Sequence, residues 1–166
     1  MSDIIKSPVI SLNVYDVKVE KHPPVEVKAR PFYALTYRKS GIAEFHMNEK
    51  TLTSTKDCIT FTPKGHSYIT SLKEDTNIIA IHFDLLTDDA FNSPFVLKNA
   101  DSHIFKMFEM ILKNYSAENP CNYECFSLFY NLLDEIEKKL SGNTCGWRNT
   151  SCADQFAKAV RKATEN

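Results

Sequence analysis

The sequence lacks the features that mark several common protein classes. Glycine occurs only 4 times in 166 residues, and no glycine lies in a dinucleotide-binding or P-loop pattern, which excludes a phosphate-cradling loop of either kind. No uninterrupted apolar run approaches the roughly 18 residues of a membrane span, and the first residues lack the basic and apolar regions of a secretory leader. We therefore expect a cytoplasmic protein that makes no membrane contact.

Charge and cysteine content narrow the class further. Lysine and arginine total 20 against 21 for aspartate and glutamate, so the net charge of −1 offers no basic surface for phosphate backbones. The 5 cysteines are an odd number and form no C-x-x-C pair, which argues against a disulfide framework and against a zinc site. We expect no cofactor, no metal and no direct binding of nucleic acid by this chain.

The first half of the chain alternates in side-chain character and is divided by turn-forming residues. Ser40-Gly41 and Pro63-Lys64-Gly65 are typical of turns. Strands are predicted at 9–19, 25–29, 32–38, 43–47, 57–62, 67–71 and 77–85. Short strands at such regular spacing predict a β-sandwich or barrel.

One face of these strands is apolar, whereas the other face mixes polar and apolar side chains. In the strand at 77–85, odd positions such as Ile79 and Phe83 are apolar, and the even positions are chemically mixed. The mixed faces predict a ligand pocket lined by Thr36, Arg38, Tyr68, Ile78, Ala80 and His82. An arginine, a tyrosine, a threonine and a histidine in an apolar cavity would fix a small polar ligand.

Arg38 is the most informative of these residues. A guanidinium inside a barrel costs several kcal/mol unless it is paired. We therefore expect it to meet Asp84, another carboxylate or a bound anionic or hydroxyl-rich ligand. The alternative places Arg38 at a strand end with its charged group in water.

The second half has a helical period. One helix is predicted to begin at residue 101 or 102 and to stop at 119–120, and a second runs from about 122 to a stop at 141–142. The second helix carries an apolar stripe at steps of three and four, formed by Phe126, Phe129, Leu133, Ile136 and Leu140. The stripe either packs on the chain's own barrel or forms a homodimer interface.

Motifs for catalysis are incomplete. Barrels that hold a metal between two sheets usually carry G-x5-H-x-H-x3,4-E followed by P-x-G-x2-H. Gly41 and His46 are followed by neither a second histidine nor a glutamate in register, and Tyr68 stands where the later motif needs histidine. Because a G-x-S-x-G nucleophile elbow is missing too, an enzyme is disfavoured.

Three segments together resemble the N-terminal sensor domain of AraC-type transcription regulators. They are Arg30-Pro-Phe-Tyr-x-Leu-x-Tyr-Arg-x-Ser-Gly41, Asp57-x-Ile-x-Phe-x-Pro-x-Gly-x-x-Tyr68 and Ile79-x-Ile-His-Phe83. The resemblance covers roughly residues 10 to 141. It implies a mainly β fold with C-terminal helices, in which a cupin-like jelly-roll barrel of the double-stranded β-helix type is followed by an antiparallel helix pair.

The resemblance also implies a function. The barrel, at 1–97, would bind a small effector, often a sugar, and the helices, at 98–142, would form a homodimer. Residues 143–166 would be a linker and the truncated start of a DNA-binding region, too short for a helix-turn-helix. Residues 1–8 could correspond to an arm that closes over the ligand.

By analogy with the arabinose-responsive member of the family, Arg38, Tyr68, Ile78 and Ala80 would contact the effector. That member has polar or aromatic side chains where this chain has Ile78 and Ala80, so a larger or more apolar effector is expected here. The alternative function is a small cupin metalloenzyme, a dioxygenase or isomerase, with an irregular site of His46, His66 and His82.

Overall fold

The computed structural model describes residues 7–47, 49–87, 93–116, 118–119 and 122–140. The strands are β1 Val9–Val19, β2 His22–Val27, β3 Tyr33–Ser40, β4 Ala43–Met47, β5 Lys50–Ser54, β6 Ile59–Thr62, β7 Tyr68–Leu72, β8 Thr76–Leu85 and β9 Phe95–Leu97. The helices are α1 Ser102–Asn114 and α2 Tyr123–Leu140. The predicted arm at 1–8, except for its last two residues, and the predicted linker and helix at 143–166 lie outside the described residues.

The strands form two antiparallel sheets that face each other. Sheet A has the order β1-β8-β3-β6-β9, and sheet B has the order β2-β7-β4-β5. The chain passes back and forth between the sheets, with β1, β3, β6 and β8 in sheet A and β2, β4, β7 in sheet B. This alternation produces a jelly-roll barrel, so the predicted fold class is confirmed.

The outer face of sheet A carries the main core. Leu35, Ile81 and Phe83 are buried on this face together with apolar residues of both helices. The ring of Phe129 in α2 lies 4.9 Å from the ring of Phe83. Burying this face against helices explains why the odd positions of β3 and β8 are apolar, since successive residues of a strand point to opposite sides.

The two helices form an antiparallel pair. Asp101 caps α1 by accepting a hydrogen bond from the Ile104 amide at 3.0 Å. At the other end of α1, the Asn114 carbonyl accepts a hydrogen bond from the Asn122 side chain just before α2, at 3.2 Å. Lys139, near the end of α2, returns to Asp101 with an N–O distance of 2.7 Å. In the described part of the chain, neither helix is long and apolar enough to cross a membrane.

The predicted homodimer stripe packs inside the chain. Phe129, Leu133, Ile136 and Leu140 are at most 3% exposed, and they belong to the core that covers sheet A, while Phe126 is partly buried against it. These side chains therefore present no free surface to a second copy. The dimer-interface assignment is corrected to the alternative, in which the stripe covers the chain's own sheet.

Two strands and one helix end differ from the prediction. The sequence pattern missed β5, whose Lys-Thr-Leu-Thr-Ser composition is polar and which forms an edge of sheet B. It also missed the three-residue strand β9. The helix α1 ends at Asn114 rather than near 119, because Tyr115 takes an extended backbone conformation.

Candidate functional site

The six predicted ligand-binding residues all lie on strand faces that point between the sheets. In the ladder between β3 and β8, Ala34 pairs with His82, Thr36 with Ala80, and Arg38 with Ile78. Tyr68 lies across from them on β7 of sheet B, where its neighbour Ile69 points outward. We call the space between these faces the hollow. Thr36, Ile78 and His82 are only partly buried, so the hollow is open to solvent there.

Arg38 is buried at one end of the hollow and is 2% exposed. Its Nε donates a hydrogen bond to the Ser54 hydroxyl at 3.0 Å, and its Nη1 donates to the Thr76 hydroxyl. Both hydroxyls have a further partner: Ser54 accepts from Thr60 at 2.9 Å, and Thr76 donates to the Ser40 carbonyl at 2.6 Å. The guanidinium is thus held in place by neutral groups.

The counter-charge expected for Arg38 is not Asp84. Asp84 pairs instead with Lys64, at an N–O distance of 2.9 Å. Among the described residues no carboxylate forms an ion pair with Arg38. Burial without a counter-charge lowers the pKa of Arg38 to about 10, and the Cys58 thiol opposes this effect only in part. The position favours a bound anion or hydroxyl group, because the cation is otherwise uncompensated.

An aromatic cluster forms the other end of the hollow. The His82 ring stacks on Phe32 with a centroid distance of 4.3 Å and lies 5.1 Å from the Tyr15 ring. Burial and the positive charge of Arg30 lower the pKa of His82 to about 4, so the imidazole is neutral at physiological pH. Within the described part of the chain, the ring nitrogens of His82 have no hydrogen-bond partner and can meet a ligand.

Tyr68 completes this end from sheet B. The Arg30 guanidinium lies 5.8 Å from the centroids of both the Tyr68 and Phe32 rings, a distance suited to cation–π attraction. Phe45 lies 6.0 Å from Tyr68. Burial raises the pKa of the Tyr68 hydroxyl, and Arg30 partly offsets this rise, so the hydroxyl is protonated at neutral pH and can donate.

The hollow has polar groups at its two ends, and Thr36 and Ala80 form part of the wall between them. Arg38 and Ala34, the partner of His82, are separated by four residues along β3, which corresponds to roughly 13 Å at the usual rise of a strand. Ile78 lies beside Arg38 at one end, and Ala80 lies beside Thr36 within this interval. The arrangement suits a ligand with one acidic or hydroxyl end and an apolar body.

The histidines proposed for an irregular metal site do not meet. His46 lies on the outer face of sheet B and bonds to the Thr51 hydroxyl at 2.9 Å. His66 bonds to the Lys64 carbonyl in a turn, at 2.9 Å. His82 faces the hollow from sheet A. In the ranges that the structure describes, no three His, Cys, Asp or Glu side chains are close enough together to hold a metal ion.

Several residues of the site were not predicted from the sequence. They are Tyr15, Arg30, Phe32, Phe45, Ser54, Thr60 and Thr76. Thr76 could have been found, because it shares the parity of Ile78, Ala80 and His82 in β8. Ser54 could not, since the strand that positions it was not recognised.

Comparisons with known proteins find similarity in fold. A scan of family models and a search of curated proteins gave no match. Among solved structures, ToxT from Vibrio cholerae strain SCE256, bound to an unsaturated fatty acid, matches with a TM-score of 0.53 and 12% identity over 95% of this chain and 65% of that chain. An apo variant of ToxT matches with a TM-score of 0.53 and 14% identity over 91% of this chain and 64% of that chain.

Weaker matches include the EutQ protein of Clostridium difficile, with a TM-score of 0.40 and 12% identity over 46% of this chain and 54% of that chain. The chain spans little more than half the length of the EutQ proteins that it matches, and just under two thirds of ToxT. At these identities the likeness concerns the fold. A cupin-like jelly-roll barrel followed by a helix pair describes the molecule.

Proposed function

We propose that the chain is the effector-binding domain of an AraC-type transcription regulator and has no catalytic activity of its own. The effector binds in the hollow, with its polar end at Arg38 and its body along Thr36, Ile78 and Ala80. Two lines of support combine. The ordered motifs of the sequence resemble this family, and ToxT, a regulator of the same family, has a similar fold.

The observation that carries the proposal is the environment of Arg38. A cation that is 2% exposed and bonded to two neutral hydroxyls is poorly compensated in the folded chain. A ligand carboxylate would supply the missing charge through charge-assisted hydrogen bonds, which are about twice as strong as neutral ones. We expect such a residue to serve ligand binding rather than folding.

We propose an effector with one acidic group and an apolar body, in preference to a sugar. Ile78 and Ala80 offer no hydrogen bonds to a ring of hydroxyl groups, whereas they fit a hydrocarbon chain or ring. The unsaturated fatty acid bound to ToxT is a molecule of this kind. His82 and Tyr68 would meet the far end of the effector.

Homodimerisation and DNA binding complete the proposed regulator. Because four residues of the stripe on α2 are buried against sheet A, a homodimer would use another surface. DNA would be bound by a helix-turn-helix region of the regulator. Effector binding can regulate the protein only if the effector has different affinities for two arrangements of the whole protein. Equal affinity for both would leave the equilibrium between them unchanged.

A thermal-shift screen with purified protein tests the proposal. Straight-chain fatty acids, aromatic carboxylates and free sugars are compared as probes, with Arg38→Met, Tyr68→Phe and Lys39→Met as variants. We expect at least one acid to raise the Tm of the wild type, with the rise lost in Arg38→Met and reduced in Tyr68→Phe. Lys39→Met is the matched control, since Lys39 lies next to Arg38 but pairs on the surface with Asp16 at 2.6 Å.

Two results would count against the proposal. An acid-induced rise in Tm that persists in Arg38→Met removes Arg38 from the site. Stoichiometric iron, manganese, nickel or zinc in elemental analysis of the purified protein would instead favour the cupin metalloenzyme.

A further inference from the structure

A second cavity lies on the helix-facing side of sheet A, outside the hollow. Its volume is about 430 Å³, within the range of small-molecule sites. Its lining contains two lysines, Lys39 and Lys56, together with Tyr37, Asp57, Ala100, Ser102 and Phe105. Tyr37 and Arg38 are consecutive in β3 and point to opposite faces, so a ligand here is distinct from one held by Arg38. We call this space the α1 cavity.

The wall of the α1 cavity is fixed by Asp57. Its backbone amide donates to the Arg38 carbonyl at 2.9 Å, and its carbonyl accepts from the Ala100 amide at 2.8 Å. Its Oδ1 accepts from the Tyr37 hydroxyl at 2.8 Å. Asp57 has a φ of 59°, a left-handed conformation that is uncommon for non-glycine residues but that aspartate adopts more readily than most. Hydrogen bonds within the chain therefore hold Asp57 in the cavity wall.

The charges of the α1 cavity are opposite and adjacent. Lys56 has no ion-pair partner among the described residues, whereas Lys39 on the same side is neutralised by Asp16. Oδ1 of Asp57 takes the Tyr37 hydroxyl, and Oδ2 has no hydrogen-bond partner in the described ranges. The cavity thus offers one free ammonium and one free carboxylate oxygen on consecutive residues.

The rest of the lining is mostly apolar. Phe105 is partly exposed and packs on the buried Tyr37, with a centroid distance of 5.0 Å. Ala100 adds a methyl group beside them. A ligand would place its charged groups at Lys56 and Asp57 and a bulky apolar group on Phe105.

We propose that the α1 cavity binds a free α-amino acid with a bulky apolar side chain. The ligand carboxylate pairs with the Lys56 ammonium, the ligand ammonium pairs with Oδ2 of Asp57, and the side chain covers Phe105. A zwitterion matches both charges of the cavity, whereas a simple acid would face the Asp57 carboxylate and a simple amine would face Lys56. The site does not depend on the effector proposed for the hollow.

Calorimetric titration with three matched probes tests this inference. L-phenylalanine carries both charges, 3-phenylpropanoate lacks the ammonium, and phenethylamine lacks the carboxylate. We expect saturable binding of L-phenylalanine, with each analogue weaker by about tenfold for the loss of one charged hydrogen bond. Lys56→Met should weaken the binding of L-phenylalanine by about tenfold, so that its affinity equals that of phenethylamine for the wild type. Since Lys56 is exposed, this variant should keep the fold.

Two further variants locate the binding. Lys73→Met is the matched control, because Lys73 is a surface cation just after β7 of sheet B and pairs with Glu44 at 2.9 Å. This variant should leave L-phenylalanine binding unchanged. Equal affinity for the three probes, or no saturable binding of L-phenylalanine, would overturn the inference. Loss of binding in Arg38→Met but not in Lys56→Met would also overturn it, because the ligand would then occupy the hollow.

Discussion

Replacing Arg38 with methionine should stabilise the ligand-free domain. Arg38 is 2% exposed, and burial lowers its pKa to about 10, which corresponds to about 3 kcal/mol against the charged side chain in the folded state. Methionine has a similar length and carries no charge, so the substitution removes this penalty. Exchanges of buried charged groups for apolar ones are often stabilising by about 1–4 kcal/mol.

The hydroxyls around Arg38 reduce the gain. Ser54 and Thr76 each lose one hydrogen bond, but Ser54 keeps the bond from Thr60, and Thr76 keeps its bond to the Ser40 carbonyl. Losing these contacts should cost about 1–2 kcal/mol in total. The free energy of unfolding should therefore rise by about 1–2 kcal/mol, which raises the Tm by roughly 3–6 °C in a chain of this size.

Denaturant unfolding at neutral pH, followed by circular dichroism, measures the change. Lys39→Met serves as the control, because removing an exposed ion pair changes stability by about 1 kcal/mol or less and should not stabilise the fold. If Arg38→Met instead lowers the free energy of unfolding by about 2 kcal/mol or more, the guanidinium supports the ligand-free fold. The argument that its charge awaits a ligand would then be refuted.

Four other substitutions probe particular contacts. The pKa of His82 is lowered to about 4 by burial and then by Arg30, so the unfolded chain binds a proton that the folded chain does not, and stability falls as pH decreases from about 6.5 to about 4. After allowance for solvent screening, His82→Phe should remove about 1 kcal/mol of this loss of stability at low pH. If the wild type and His82→Phe show the same pH dependence of denaturation, this expectation is wrong. Gly41→Ala should destabilise by about 2 kcal/mol or more, since φ is +83° and the new Cβ would lie 2.6 Å from the Asp75 carbonyl oxygen. Gly65→Ala is the comparison, because φ is +77° there and no atom lies within 4 Å of the new Cβ. Thermal denaturation should show a loss of stability of only about 1 kcal/mol in this variant. Equal losses in the two variants would rule out the clash at Gly41. Phe129→Ala should destabilise by about 3–5 kcal/mol in denaturant, and a change in oligomeric state without loss of stability would return this residue to a dimer interface.

The alternation of β3 and β8 could be predicted because burial of one strand face imposes a period of two. The odd positions, such as Ile79 and Ile81, pack against the helices, and the even positions face the other side of sheet A. Lys50–Ser54 escaped prediction because an edge strand with solvent on one side has little apolar signal. The stripe on α2 showed that one helix face is buried, but periodicity does not reveal whether the covering surface belongs to the same chain.

The surroundings of Arg38 could not be read from the sequence. Its partners Ser54 and Thr76 are 16 and 38 residues away along the chain. They meet it because β8 pairs with β3 within sheet A and β5 belongs to the facing sheet B. Asp84 was expected to pair with Arg38 because it carries the opposite charge. It lies nearer the opposite end of β8, where it pairs with Lys64 from the turn between β6 and β7.

The most direct measurement of the central claim is side-chain NMR of Arg38. The Nε–H signal of ¹⁵N-labelled protein, assigned with Arg38→Met, is followed during titration with fatty acids and aromatic carboxylates, and with their primary amides as neutral controls. The account predicts a saturable shift of this signal with at least one acid and none with its amide, accompanied by shifts of the Ile78 and Ala80 methyl groups. An Arg38 signal that stays fixed while those methyl groups respond to a ligand would contradict it.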